Sequence, residues 1–278
     1  MIFSDLPTLG VGLGFREPFR GDLFLHQSEV DFLEITADHY FDARQQKQDE
    51  LELLAEHFTL IPHGLDLSLG SAEGLDSEYA QKFASLINRL NPPWWSEHIA
   101  FTRAGGVEIG HLTPLPFSSE AVELLSRNIA KMRELVNVPL ILENITYGVT
   151  VPGGKMTEAE FLREVLEQTG AGLLLDVTNL HTNALNLGYD PRRFLDELPM
   201  ERVVQLHFVG GQTQDGVLVD SHSHPTPPEV WSLMNEVVSR APVKGIILER
   251  DENLPPFGEL LAETRQAREI GRRHGLWR

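Results

Sequence analysis

Short apolar, β-branched runs alternate along the chain with longer stretches in which apolar residues recur at helical spacing. The runs are LGVGLGF (9–15), VDFLEI (30–35), FTLIPHG (58–64), WWSEHIAF (94–101), VPLILENI (138–145), AGLLLDV (171–177), RVVQLHF (202–208) and KGIILER (244–250). Several are apolar throughout, as strands covered on both faces must be, which predicts a parallel sheet flanked by helices. The intervening stretches predict helices over Gln48–His57, Ser77–Leu90, Ser118–Val136, Thr157–Thr169, Pro191–Leu198, Pro228–Ser239 and Pro256–His274, with a first helix inside 20–27. Thr157 and Glu160 have the spacing of a capping box, and Pro191 and Pro228 suit a first helical turn. Eight such units in 278 residues predict an α/β fold, a closed (β/α)8 TIM barrel forming one domain over 1–278, since barrels of this kind occupy about 250 residues. The stretches 64–76 and 102–117 are expected as long loops over the carboxyl ends of the strands.

The chemistry lies at those ends. The third run finishes on His63, the fourth on Glu97 and His98, the fifth on Glu143 and Asn144, the sixth on Asp176, the seventh on His207 and the eighth on Glu249. Chance surface polarity would mix Lys, Ser, Thr and Gln among these tips, and it does not. Barrel enzymes build their sites on this rim, where side chains remote in sequence converge. Glu143 and Glu249 follow nearly unbroken aliphatic runs, where an unpaired carboxylate would be costly to bury, so they call for a cation. Alternation sends Glu97 and His98 to opposite sides, and His98 is the better match to a site already rich in carboxylate.

Asp176 begins DVTNLHTN, where a tight turn or first helical turn would carry Asp176 and Asn179 to one centre. His181 would diverge and stands as a reserve ligand. After His207, a glycine-rich turn leads to a loop presenting Asp220 and His222 two residues apart, a spacing that turns both side chains to the same side of an extended segment. Glu34, ending the second run, is expected in a supporting position, and His224 either there or in solvent. The ligand count exceeds what one ion uses and suits two or three metals, with Glu143 as the natural bridge.

Composition narrows the alternatives. Cysteine is absent, so disulfides, thiolate sites and a cysteine nucleophile are excluded, and any metal must sit among His, Asp, Glu and Asn. With imidazole and carboxylate donors, zinc, manganese and iron are all admissible. The net charge of -18, from 41 acidic and 23 basic residues, disfavours nucleic acid as a partner. The single basic cluster, Arg265, Arg268, Arg272 and Arg273, is spaced like the outer face of a helix. No apolar run approaches the roughly 20 residues of a membrane span, and MIFSDLPTLG lacks the build of a signal peptide, so a cytoplasmic location without membrane contact is expected. Gly10, Gly12 and Gly14 read as close packing at a barrel strand rather than a phosphate loop, and Trp94 and Trp95 as packing residues.

Taken in order, His63, His98, Glu143, Asp176, Asn179, His207, Asp220, His222 and Glu249 resemble the ligands of the multinuclear non-haem iron-dependent oxidative enzymes, whose fold is related to xylose isomerase-like barrels. The segments carrying the resemblance are PHGLDLSLGS (62–71), SEHIAF (96–101), HLTPLPF (111–117), LENITYG (142–148), LLLDVTNL (173–180), LHFVGG (206–211), DSH (220–222), PPEVW (227–231) and ILERD (247–251). The DVTNLHTNALNLGYDP stretch is similar to the subgroup that modifies ribosomally made peptides, as in the methanobactin and 3-thiaglutamate pathways. The resemblance implies two or three iron ions in mixed Fe(II)/Fe(III) valence, with dioxygen as cosubstrate. His63, His98 and Glu143 would hold one ion. Glu143, Asp176, His207 and Glu249, the expected catalytic quartet, would hold a second. Asn179, Asp220 and His222 would hold a third, more labile one. It further implies oxidation of a precursor-peptide residue, cysteine first, and a small separate partner protein that recognises the peptide.

Other functions fit the same donors. A multi-zinc phosphodiesterase of the endonuclease type would use bridging hydroxide, although the acidic charge argues against a DNA substrate. A sugar isomerase or epimerase would leave Asp220 and His222 unneeded, and the rim series offers no catalytic lysine. A metal-dependent binding module is a fourth reading. Arg103 and Arg250 are candidates for holding a peptide carboxylate.

Overall fold

Alternation along each strand decides which side chains enter the barrel, and the eight apolar runs all become its staves. The computed structural model describes residues 3–277. Its strands are β1 (Gly10–Gly14), β2 (Phe32–Thr36), β3 (Thr59–His63), β4 (Trp95–His98), β5 (Phe101–Ala104), β6 (Val107–Thr113), β7 (Leu140–Glu143), β8 (Gly172–Asp176), β9 (Val203–Phe208), β10 (Gly210–Gln214), β11 (Val217–His224) and β12 (Gly245–Leu248). Eight of them close in the order β1-β12-β9-β8-β7-β4-β3-β2, all pairs parallel. The other four form two antiparallel hairpins, β5–β6 and β10–β11, rising from the carboxyl ends of β4 and β9. Structure and sequence agree on a TIM barrel.

Two apolar layers hold it together. Phe32, Ile61, Trp94, Ile141, Leu174, Val204 and Ile247 plug the interior, joined by Phe3. The larger layer lies between strands and helices and includes Trp95, edge-on to Phe83 with ring centroids 5.1 Å apart. Side chains two residues apart on a strand share a face. The plug therefore fixes what lies above it: Glu34 two past Phe32, His63 past Ile61, Glu143 past Ile141, Asp176 past Leu174 and Glu249 past Ile247. β9 departs from this rule in a useful way. Its register against β8 jumps from Leu173↔Val203 to Leu174↔Gln205, which makes Val204 the extra residue of a bulge. Val204 joins the plug, yet Gln205 also turns inward to accept the Trp94 indole N–H at 2.8 Å. The bulge shifts the phase of the rest of the strand, so His207 faces the interior while Leu206 and Phe208 pack outward.

The helices follow the periodicity with small shifts at their ends: Arg20–Leu25, Gln45–His57, Ser77–Leu90, Ser119–Leu135, Glu158–Thr169, Pro191–Glu197, Pro228–Arg240 and Phe257–Arg273. The capping box of Thr157 and Glu160 is formed in both directions. Three elements differ from expectation. Val177–Leu187 extends the first helical turn, one of the two alternatives at Asp176, into a full helix that the periodicity did not predict, with Asp176 as its N-cap accepting from the N–H groups of Thr178 and Asn179 at 2.6 and 2.9 Å. Its Thr, Asn and His residues have weak helix propensity, and burial of its face supplies the stability instead. The stretch 102–117 is largely the β5–β6 hairpin rather than a loop, and Asp220 and His222 ride on a strand rather than a loop. Both hairpins turn on positive-φ pairs, Gly105–Gly106 and Asp215–Gly216, the second being a dipeptide that favours a two-residue turn.

Gly12 shows why β1 needs glycine. A Cβ there would sit 2.2 Å from the Phe32 carbonyl oxygen, a backbone atom that cannot step aside, whereas at Gly14 the nearest atom is the tip of the Arg16 side chain at 3.2 Å. Gly12→Ala is expected to destabilise the protein by about 1–3 kcal/mol through overpacking and Gly14→Ala by distinctly less, read from their thermal midpoints side by side. Equal midpoints for the two variants would contradict this account.

Candidate metal centre

Above the plug, the strand ends bring three imidazoles and three carboxylates into one buried space. Glu143 lies at its middle. Its Oε2 is 3.5 Å from both His63 Nε2 and His98 Nε2, and its Oε1 is 3.3 Å from His207 Nδ1. His207 Nδ1 is also 3.0 Å from Glu249 Oε2. Among the described residues, three sets of donor atoms gather closely enough to share an ion: His63, His98 and Glu143; Glu143, Asp176, His207 and Glu249; and His222, Glu249 and Asp251, the last in place of the expected Asn179, Asp220 and His222. Donors about 2.0–2.2 Å from one cation lie roughly 3–3.5 Å from each other, which is the spacing seen.

The far side of each ring is fixed. His63 Nδ1 meets Ser96 Oγ at 2.8 Å, and His98 Nδ1 lies 3.2 Å from both the Gly64 carbonyl and Glu97 Oε1. His207 Nε2 is 2.8 Å from Glu34 Oε1, while Gln205 donates to the other Glu34 oxygen at 2.6 Å. With those nitrogens engaged, Nε2 of His63, Nε2 of His98 and Nδ1 of His207 keep lone pairs toward Glu143. Carboxylate or carbonyl partners behind metal-binding histidines orient them in this manner. Glu97 thus faces away from the centre, where it also accepts from the Leu67 N–H at 3.2 Å.

A third group forms around the β10–β11 hairpin. His222 Nε2 approaches Asp220 Oδ1 at 2.8 Å, and its Nδ1 lies 3.0 Å from Asp251 Oδ2 and 3.7 Å from Glu249 Oε2. Asn179, in the first turn of the capped helix, donates through Nδ2 to the Asn144 carbonyl at 3.0 Å. That contact leaves its Oδ1 without a donor. Asn186, further along the same helix, exchanges hydrogen bonds with Leu218 at 2.8 and 3.0 Å and ties the helix to β11.

The donor set fits metal ions on one independent observation. Among the described residues, ten buried side-chain polar atoms have no hydrogen-bond partner, and six of them belong here: Glu143 Oε2, Asp176 Oδ2, Asn179 Oδ1, His207 Nδ1, Asp220 Oδ1 and His222 Nε2. Buried polar atoms are ordinarily satisfied, and lone pairs facing each other at 2.8–3.5 Å are what cations bridge. Electrostatics agrees. Burial pushes the Asp176 carboxyl up to about 7, with Glu143 and Asp220 adding to the shift. Burial works against the His98 imidazolium, but Glu143 and Glu97 outweigh it and raise the group to about 9. His207 and His222 are likewise raised well above the ordinary range by neighbouring carboxylates, despite burial. An acidic centre of this kind takes up protons when it lacks cations.

His181, the reserve ligand expected to diverge, is in none of these donor groups, and His224 is exposed, bonded to Ser223 Oγ at 2.7 Å. Neither proposed carboxylate-binding arginine reaches the centre: Arg250 is buried against Glu263 and the Ser223 carbonyl, and Arg103 is turned toward Asp76 and the Gly74 carbonyl. The arginine at the mouth is Arg16, bonded to Asp251 and 3.6 Å from Glu249. Arg16 and Asp251 escaped notice because each follows its strand end by two or three residues, in loop sequence that carries no periodicity.

Known proteins give this arrangement a context. Solved structures similar in fold include a D-tagatose 3-epimerase-like protein (14% identity, TM-score 0.60, covering 95% of this chain and 98% of the other). Another is a protein from Thermus thermophilus soaked with ZnCl2 (18%, 0.56, 92% and 97%). A third is a xylose isomerase domain protein from Alicyclobacillus acidocaldarius (14%, 0.55, 96% and 99%). These likenesses concern the barrel alone. A UPF0276 protein of Caulobacter vibrioides is 34% identical over 274 residues, 97% of this chain and 98% of the relative. A UPF0276 protein of Streptomyces avermitilis is 40% identical over 265 residues, 93% of this chain and 54% of the relative, so the chain spans about half of that protein. A model of the family described as "RiPP precursor modification enzyme MbnB/TglH/ChrH", where RiPP denotes a ribosomally synthesised and post-translationally modified peptide, matches residues 10–272. With the match running from the first barrel strand to the last helix, the chain belongs to that family of peptide precursor modification enzymes.

Proposed function

We propose that this protein is an iron- and dioxygen-dependent oxidoreductase that modifies a residue, cysteine first, of a ribosomally made precursor peptide. The observation that carries the reading is the set of six partnerless buried donor atoms around Glu143, in a chain whose family acts on peptide precursors. His63, His98 and Glu143 would hold one ion, Glu143, Asp176, His207 and Glu249 a second, and Asn179, Asp220 and His222 a third. Iron in these places supplies a redox centre and a Lewis acid for a substrate thiolate.

The chain's own residues prepare the centre. Glu143 spans the two barrel groups with one oxygen toward each. Ser96, Glu97 and Glu34 hold the imidazoles in the tautomers that leave lone pairs facing inward. Arg16 neutralises part of the carboxylate charge at the mouth, and the hairpins rising from β4 and β9 flank the entrance. A separate small protein that presents the peptide remains part of the proposal, as does a cytoplasmic site of action. Among the described residues no helix is long and apolar enough to cross a membrane. The whole chain acts as a single catalytic domain in this reading.

Elemental analysis of protein purified without added metal, paired with electron paramagnetic resonance of the same sample, is expected to find two or more irons per chain and a coupled mixed-valent signal. Stoichiometric zinc that survives growth in iron-rich medium, with no iron signal, would sink the oxidase reading in favour of a hydrolase. Glu34→Gln keeps the shape behind His207 but removes the carboxylate that fixes its tautomer. It is expected to lower metal affinity by about 10–100-fold in competition with a chelator, and unchanged affinity would rule out that orienting role. Proton linkage gives a further check. At neutral pH His98, raised to about 9, is protonated and Asp176, at about 7, is partly so, and both must lose their protons to bind an ion. Adding Fe(II) anaerobically to metal-depleted protein in weak buffer should therefore release protons. Affinity should rise with pH from about 6 to about 9, by roughly tenfold per unit for each proton displaced. An affinity flat across that window would count against direct ligation by these groups.

A further inference from the structure

Away from the metal-ligand cluster, aromatic side chains frame a cavity of about 630 Å³ where the helices Glu158–Thr169 and Pro191–Glu197 begin. Phe117 meets Tyr147 edge-on with centroids 5.6 Å apart, and Tyr189 stacks on Phe194 at 6.0 Å with 23° between the planes. All four rings line the space. Glu158 also lines it, and its Oε2 accepts from the Tyr147 hydroxyl at 2.7 Å and the Tyr189 hydroxyl at 3.5 Å. The residue is 9% exposed. Among the described residues no lysine, arginine or histidine pairs with it, and its side-chain partners are the two phenols.

A buried carboxylate backed by phenols, in a chamber with aromatic walls, has the chemistry of a receptor for an organic cation. The ring faces attract positive charge and the carboxylate neutralises it. Asp190 and Glu197 at the rim add negative charge, while Arg193 leans out on Glu197 at 3.4 Å with a side chain 83% exposed. The net charge of -18 favours basic ligands over acidic ones.

The place of the cavity suggests whose cation it is. Tyr147 lies four residues beyond Glu143 on the same rim, so their Cα atoms are at most about 14 Å apart. An extended peptide with one residue at the metal centre covers that distance in about four residues. We infer that the Glu158 cavity holds the ammonium group of a lysine in the precursor peptide, placed a few residues from the one modified. This rests on the reading of the protein as a peptide-modifying enzyme. Burial pushes the Glu158 carboxyl up to about 7, which agrees with a group that meets its cation only when ligand is bound.

The test uses Nα-acetyl-lysine amide as probe and Nα-acetyl-norleucine amide as its uncharged counterpart, both observed by saturation-transfer NMR on the metal-loaded full chain. The lysine probe is expected to receive magnetisation on its side-chain methylenes and the norleucine probe not. Glu158→Gln should weaken the lysine signal by about tenfold, as loss of a charge-assisted contact implies. Tyr189→Ala, which opens one wall and leaves the carboxylate in place, should weaken it as well. Equal signals from the two probes, or a lysine signal that survives both substitutions, would overturn the inference. Metal content of the variants, measured on the same samples, keeps the two readings apart. A cavity that ignores lysine in protein with a full metal complement refutes the cavity alone, and a cavity that binds lysine in protein without redox-active metal refutes only the oxidase.

Discussion

The molecule is built around a charge problem. Glu143, Asp176 and Glu249 meet in a space walled by aliphatic strands, where unpaired carboxylates are prohibitively expensive. Imidazoles from β3, β4 and β9 and the guanidinium of Arg16 offset part of that cost, and those of His98, His207 and Arg16 are drawn toward their charged forms in doing so. Cations would relieve the same tension while freeing the imidazoles to act as neutral ligands. The arrangement therefore favours metal for the same reason that it resists being a purely structural core.

The apolar plug below is what makes this arrangement reproducible. Each plug residue fixes the phase of its strand, and the polar residue two positions on inherits its direction. Stability and function are written on the same faces of the same strands. The barrel's floor is hydrophobic packing and its ceiling is a cluster of candidate metal-binding groups, with the Trp94–Gln205–Glu34–His207 chain of contacts running from one to the other.

How much of this could be read from the sequence depended on whether a residue sat on a regular element. The strands were legible because runs such as LLLD and GIILE are too apolar to be anything but buried, and their final carboxylates stand out against them. The face of His207 was not legible, since it depends on a one-residue bulge at Val204 that alternation cannot reveal. The helix Val177–Leu187 was hidden by residues with little helix propensity, because packing and the Asp176 cap, rather than intrinsic preference, stabilise it. The hairpins were hidden by their exposure: Val107–Thr113 buries almost nothing and so carries no hydrophobic alternation. Arg16 and Asp251 were missed because a loop residue declares its role only through its neighbours in space.

The donor groups differ in what carries them. His63, His98, Glu143, Asp176 and His207 stand on staves of a closed barrel, so displacing any one means breaking a ladder of backbone hydrogen bonds. Asp220 and His222 ride on a two-stranded ribbon anchored at its base, and His222 holds its backbone at φ 47°, a left-handed conformation uncommon outside glycine. The ribbon pairs only with itself, whereas every stave of the ring has a partner on both sides. Asp220 and His222 therefore owe their position to side-chain contacts and one hairpin, and the barrel residues owe theirs to the closed sheet, so a substitution in the ribbon can alter the first pair while leaving the ring intact.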